Sequence, residues 1–227
     1  MTNNKKELVA YLMQFVSENK HVAIERVIEQ RTRYVTVALE DIYKIDNVSA
    51  AVRSIECFGL QDVHIIEQTN SYSTNIGITK GAADWIDCKR YRKPDSNNTE
   101  ECFKQLRADN YMIVATSPKA GGYTIQELPL DRKVALIFGS EIAGLSSYAL
   151  EHADAFVTIP MYGFTQSFNI SVSVALCAYE LTKRLRQSDS AWQLSEQEMY
   201  DIKLAWLRRV VRGADELEKL FLSRVTD

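Results

Sequence analysis

The sequence predicts an α/β domain on a parallel sheet, flanked by N- and C-terminal helices, and three observations carry that reading. Short apolar, β-branched runs recur along the chain with helical stretches between them. Each run is nearly continuous in apolar character instead of alternating, as in strands buried on both faces. The two ends differ from the middle, being charged and following a helical period.

The predicted strands are residues 34–39, 63–66, 111–115, 134–138 and 155–159. The predicted helices between them are residues 47–58, 99–109, 147–151 and 169–186. Residues 95–99 read Asp-Ser-Asn-Asn-Thr, a loop ending in a helix cap. Residues 5–16 and 22–30 read as two short amphipathic helices. Residues 196–224 form one charged helical region with Leu204, Leu207 and Val211 on a stripe. Residues 187–193 are a polar link. This divides the chain into an N-terminal helical extension (1–30), a central domain (31–187) and a C-terminal helical extension (188–227).

A chain of 227 residues can bury one substantial core. Its formal net charge of −3 excludes a globally basic nucleic-acid binder, but local basic patches, which set phosphate affinity, remain open. Cys57, Cys88, Cys102 and Cys177 are scattered, with no CxxC and no nearby histidine pair. They read as free, mostly buried thiols in a reducing compartment, with no metal site. The first residues, MTNNKKELVAYLMQ, lack a long apolar segment and a small-residue cleavage site, and no apolar run approaches a membrane span. The expected location is the cytoplasm, with no membrane partner.

Residues 139–180 are the most informative stretch. Gly139-Ser140-Glu141 and Gly144-Leu145-Ser146 set a glutamate in a glycine-flanked turn after a buried strand. Ligands of open α/β sheets bind at such carboxyl ends. Ile159-Pro160-Met161 then leads through Gly163 to Gln166, Ser167, Phe168 and Asn169 at the start of a long apolar helix. Three neutral hydrogen-bonding side chains there exceed what a helix cap needs. Upstream, Asn47 follows the first strand and can cap a helix, so that Arg53 points outward about two turns later. A guanidinium among Ala50, Ala51, Val52, Ile55 and Phe58 suits a phosphate or another anionic group.

Basic residues gather in three places. Arg26, Arg31 and Arg33 precede the first strand; Lys183, Arg184 and Arg186 end the 169–186 helix; Arg208, Arg209 and Arg212 lie on the tail. Solvated faces and helix C-termini also attract such cations, so each cluster alone reads as a surface feature sooner than an RNA contact; that all three flank the proposed site weakens the surface reading.

In this order, three of these constellations resemble the signature motifs of the SpoU/TrmH branch of the SPOUT RNA 2′-O-methyltransferases. The first is Asn47…Arg53, similar to the family's N-x-x-S-x-x-x-R with its serine one place earlier, at Ser49. The second is Gly139-Ser140-Glu141…Gly144-Leu145-Ser146. The third is Ile159-Pro160-Met161…Gln166-Ser167-Phe168-Asn169-Ile170-Ser171-Val172. The opening helices and Trp206-Leu207-Arg208 resemble the subgroup acting on a guanosine of transfer RNA. The run before Asn47 is Lys44-Ile45-Asp46, where the family has a proline. Asp84 precedes Trp85 where the subgroup has a lysine, and Lys80 is the candidate to compensate.

The resemblance implies a sheet whose C-terminal segment threads a deep trefoil knot. It implies a homodimer that uses S-adenosylmethionine and no metal. Thr116, Gly139, Ile159, Met161 and Phe168 would contact the cofactor. Asn47, Arg53, Glu141, Ser167 and Asn169 would form the catalytic set, with Arg53 either deprotonated transiently beside a phosphate or stabilising the developing alkoxide. Arg26, Arg31, Lys80, Lys183, Arg184, Arg186, Arg208, Arg209 and Arg212 would contact RNA. The implied reaction is ribose 2′-O-methylation of a transfer-RNA D-loop guanosine. The alternatives are the same chemistry on ribosomal RNA, or an RNA-binding member without activity.

Overall fold

A computed structural model describes residues 2–70, 81–117 and 121–225, which form two compact units. One joins residues 1–31 with 193–227; the other is residues 32–192. The first unit opens with α1 (Thr2–Met13) and α2 (Glu18–Ile28), the latter capped by Ser17.

The larger unit runs β1 (Val35–Glu40), α3 (Ile45–Cys57), β2 (Asp62–Ile66), a 3-10 turn (Ala82–Asp84), β3 (Asp87–Tyr91), α4 (Asn98–Ala108) and β4 (Met112–Thr116). It continues with β5 (Tyr123–Thr124), β6 (Val134–Phe138), α5 (Ser147–His152), β7 (Ala155–Thr158) and α6 (Ile170–Arg186). The seven strands form one sheet in the order β3-β2-β1-β6-β4-β7-β5, and every neighbouring pair is parallel. Val37 stands opposite both Val63 and Leu136, which fixes the register at the sheet centre.

Period-two alternation sends successive side chains to opposite faces. Val35, Val37 and Leu39 join Val134, Leu136 and Phe138 in a core closed by Val48, Val52 and Ile55 of α3 and Val174, Cys177 and Leu181 of α6. Ala38, Ala135 and Ile137 face the other way, against Phe103 and Leu106 of α4 and Ala149 of α5. The result is a three-layer sandwich with the sheet in the middle.

The second face also carries buried polar groups. Thr36 Oγ1 donates to the Asp62 carbonyl at 2.9 Å, and His64 Nδ1 lies 2.9 Å from the Tyr91 hydroxyl. Burial, with Lys89 nearby, pushes the His64 imidazole down to about 3. Burial also raises the Asp62 carboxyl, against the pull of Arg33 and Lys89.

In the smaller unit, α7 (Glu196–Val210) opens on a capping box of Ser195 and Glu198, and α8 (Ala214–Val225) follows it. Leu8, Leu12, Ile24, Ile28, Ile202, Trp206 and Leu207 are among its buried side chains. Lys203 pairs with Glu25 at 2.6 Å.

Several expectations change. The tail region expected as a single helix is two, broken where Gly213 adopts φ +72°, a conformation that favours glycine. β3 was not expected because DCKRY is a half-buried edge strand without an apolar run. α3 begins two residues before Asn47, with Lys44 at its N-cap and no side-chain cap bond. Asn47 therefore sits in the first turn and is released for other partners. Cys102 and Cys177 are buried thiols as expected, while Cys57 and Cys88 are exposed. Among the described residues, no helix is long and apolar enough to cross a membrane.

Candidate active site

Three distant segments meet at the Asn47 side chain. Asn47 Nδ2 donates to Glu141 Oε1, and Asn47 Oδ1 accepts from Asn169 Nδ2 at 3.1 Å. A carboxylate can only accept, so the amide has one orientation that satisfies both neighbours. Asn169 is the N-cap of α6: its Oδ1 accepts from the Ser171 amide at 2.9 Å and the Ser171 hydroxyl at 2.6 Å. The start of α3, the loop after β6 and the start of α6 are thereby locked together. A neutral hydrogen bond such as Asn169–Asn47 contributes about 0.5–1.5 kcal/mol, and the bond to the Glu141 carboxylate adds to it, so the junction is held and not merely adjacent.

The loop carrying Glu141 has a fixed shape. Ser140 N donates to the Gly144 carbonyl at 3.1 Å, and Gly144 N to the Ser140 carbonyl at 2.9 Å. A Cβ on Gly139 would stand 2.2 Å from the Gly144 carbonyl carbon, so the residue must be glycine for the two backbones to approach.

Arg53 is exposed on α3 and makes no hydrogen bond or ion pair among the described residues. Ser167 is exposed two positions before Asn169. Neither is drawn into the junction, which leaves both side chains available to a ligand.

The expected cofactor residues gather at the carboxyl ends of three neighbouring strands, β6, β4 and β7. Thr116 closes β4 and donates from Oγ1 to the Ile137 carbonyl of β6 at 2.8 Å. Gly139 follows β6, and Ile159 and Met161 follow β7, both half-buried. Phe168 is exposed. A row of strand ends is where open parallel sheets bind ligands.

One buried carboxylate escaped the sequence reading. Glu40 closes β1, is 3% exposed, and accepts from the Ser146 amide at 2.9 Å, the Ser146 hydroxyl at 2.7 Å and the Thr99 hydroxyl at 2.6 Å. The available signal was a single acid ending the apolar run VTVALE.

The basic candidates separate on inspection of their surroundings. Arg31 is corrected: it is 1% exposed, with its guanidinium 5.5 Å from the Trp206 ring centroid, so it lies inside its unit and not on a basic face. Arg184 donates to the carbonyls of Ile125 (2.8 Å) and Leu128 (2.7 Å), which makes it a clamp on that segment. Arg208 forms a bidentate pair with Glu218 at 2.9 and 2.5 Å. Arg26, Lys183, Arg186, Arg209 and Arg212 are exposed, with Arg186 over the Trp192 ring at 5.6 Å. Lys80 lies outside the described residues.

Known proteins resemble this chain along most of its length. Residues 34–179 match the SpoU rRNA methylase family. A tRNA (guanosine(18)-2′-O)-methyltransferase of Borreliella burgdorferi is 39% identical over 223 residues, covering 98% of this chain and all of the relative. One from Thermus thermophilus is 30% identical over 195 residues, covering 85% of this chain and 98% of that protein. Among solved structures, the TrmH/SpoU tRNA-modifying enzyme of A. aeolicus superposes with a TM-score of 0.73 at 26% identity, covering 86% of this chain and 98% of that one. The family match takes in the sheet, all three segments at the Asn47 junction and most of α6, and on that ground the chain belongs to the SpoU rRNA methylase family.

Proposed function

We propose that this protein methylates the ribose 2′-oxygen of guanosine 18 in the transfer-RNA D-loop, using S-adenosylmethionine, as a cytoplasmic homodimer. The observation that carries the reading is the Asn47 junction, which ties the three motif segments together, with Arg53 exposed further along the same helix as Asn47. The relatives at 39% and 30% identity, matched along nearly their whole length, are named for that nucleotide. A ribosomal-RNA relative, the 23S rRNA (guanosine-2′-O-)-methyltransferase RlmB of Escherichia coli, is matched over only 58% of its length. This favours transfer RNA.

The strand-end row fits the cofactor. Half-buried Ile159 and Met161 offer apolar contact, and the Gly139–Gly144 approach leaves backbone groups uncovered by side chains. Thr116, Gly139, Ile159, Met161 and Phe168 are the residues that would hold it. When bound, S-adenosylmethionine supplies an electrophilic methyl group on a sulfonium.

The protein's part is to prepare the oxygen. A ribose hydroxyl is a poor nucleophile at neutral pH, and its attack develops negative charge. Arg53 offers a fixed cationic fork to that charge, and arginine guanidinium groups hold their protons so tenaciously that electrostatic stabilisation is favoured over a base role. Glu141 and Asn169, linked through Asn47, hold the loops in place before substrate arrives and would orient the ribose once it binds. Ser167 adds a free hydroxyl at the same helix start.

One feature supports the homodimer. α6 buries Val174, Cys177 and Leu181 on one side, yet on the other it exposes Val172, Leu176 and Tyr179 around a groove of about 420 Å³ with Phe58. An exposed apolar strip of this kind marks an interface. We also place this chain's C-terminal segment in the family's trefoil knot; the insertion of β6 between β1 and β4 in the sheet order supports it.

The test is transfer of labelled methyl from S-adenosylmethionine to unmodified transfer RNA and to ribosomal RNA, followed by nucleoside analysis. Label in 2′-O-methylguanosine from transfer RNA alone is the expected result. Label only in ribosomal RNA, or in a methylated base, would overturn the reading.

A further inference from the structure

The geometry points to Glu40 as a positioning residue for methyl transfer, acting through the loop that carries Glu141; this rests on the function proposed above. Glu40 does not belong to the Asn47 junction, and its carboxylate lies on the opposite face of the sheet from α3. Alternation along β1 sends Leu39 toward α3 and α6, and Glu40 toward α4 and α5.

There Glu40 holds two elements with three bonds. The Thr99 hydroxyl, in the first turn of α4, donates to Oε1. The Ser146 hydroxyl donates to the same oxygen, and the Ser146 amide donates to Oε2. Ser146 is also the N-cap of α5, its hydroxyl oxygen accepting from Ala149 N at 3.1 Å. One hydroxyl thus completes the helix cap and anchors it to the end of β1.

The consequence lies at the other end of the loop. Between Gly139 and Ser146 the backbone is closed by the paired Ser140–Gly144 bonds and by Ala143 N donating to Ser140 Oγ at 3.2 Å. A segment braced in this way moves as a body. Releasing Ser146 from Glu40 therefore displaces Glu141 from Asn47, although none of the altered atoms touches substrate. Misplacement at the ångström level is enough to cost a positioned reaction heavily. Glutamine is the informative replacement: it keeps the shape and one acceptor, but it turns an NH₂ toward the Ser146 amide or surrenders both hydroxyl donors.

The experiment measures single-turnover methyl transfer to unmodified transfer RNA at saturating S-adenosylmethionine, alongside transfer-RNA dissociation constants and thermal unfolding. Glu40→Gln is expected to slow transfer at least tenfold, with RNA affinity within threefold of wild type. Thr99→Val should slow transfer in the same direction, and Thr99→Ser, which keeps the hydroxyl, should restore most of the rate. The double variant Glu40→Gln/Glu141→Gln should be no slower than Glu141→Gln alone, because both act through one contact. A general loss of stability would instead add to the Glu141 effect. Wild-type rates in folded Glu40→Gln and Thr99→Val, or additive losses in the double variant, would overturn the assignment of Glu40. Failure of the wild-type protein to methylate transfer RNA at all would overturn the function on which it rests.

Discussion

Asn47 and Asn169 stand 122 positions apart in sequence, yet the side-chain amide of one donates to that of the other at 3.1 Å. Because Asn47 also donates to Glu141, a change at this amide should be felt at two loops at once. Asn47→Asp keeps the size but sets a second carboxylate against Glu141. Methyl transfer should fall by two orders of magnitude or more, with a stability loss on the order of 1–3 kcal/mol. Turnover together with urea unfolding checks this, and normal transfer by Asn47→Asp would remove the junction from the mechanism.

Arg53 behaves differently, because its side chain is exposed and holds nothing in place among the described residues. Arg53→Ala should abolish transfer while shifting stability by no more than about 0.5 kcal/mol, as expected for a surface change without partners. Arg53→Lys should also be poor, since a compact ammonium does not reproduce the planar fork. Calorimetry should show S-adenosylmethionine affinity unchanged in both variants.

The Gly139 contact gives a backbone prediction. Gly139→Ala forces a Cβ into the Gly144–Leu145 peptide at 2.2–2.3 Å, where no flexible side chain can yield. Loss of cofactor binding by calorimetry is expected, even if the sheet still folds by circular dichroism. Ala143→Ser, on the exposed side of the same loop, is the control.

His64 makes stability depend on pH. Its folded value of about 3 lies far below the ordinary 6.5, so below pH 6.5 the unfolded chain binds a proton that the folded chain refuses. Its contribution is fully present above 6.5 and is lost as pH falls toward 3. Asp62, with its carboxyl raised by burial, acts in the opposite sense, losing stability as pH rises through its own range. Comparison of wild type with His64→Leu isolates the imidazole: the slope of unfolding free energy between pH 6.5 and 4 should flatten in the variant. An unchanged slope would show that His64 is not the titrating group.

The tail offers a salt test. Arg208, Arg209 and Arg212 are all exposed, and Arg208 is paired with Glu218. Substituting Arg209 and Arg212 by alanine should weaken transfer-RNA binding and lower the salt slope by about 0.7–0.9 per lost contact. Arg208→Ala should reduce stability more than affinity. Filter binding across a salt series distinguishes these outcomes.

The sheet was legible because parallel strands buried on both faces are largely apolar, as in Val134–Phe138, whose bounds agree with the sequence reading. β3 was not, since an edge strand needs only one covered face and DCKRY shows no such run. The residues of the junction were readable as motifs, but their connection was not. Asn47 looks like a cap by type and position, and only the start of α3 at Ile45 shows it to be free. Burial of charge was the least legible feature. Arg31 follows Gln30 in a polar stretch, and nothing local reveals that Trp206 lies beneath it. Glu40 was equally hidden, because its three donors come from residues 59 and 106 positions away.

The most direct test of the central claim is to incubate the wild-type protein with S-adenosylmethionine and a transfer RNA, then map methyl groups by mass spectrometry. One transcript should carry guanosine at position 18 and a second 2′-deoxyguanosine there. A single 2′-O-methyl group at that guanosine, absent from the deoxy transcript, is the expected result. Methylation that persists on the deoxy transcript, or that appears on a base, would contradict a site built around Asn47, Glu141, Asn169 and Arg53 to deliver a ribose oxygen.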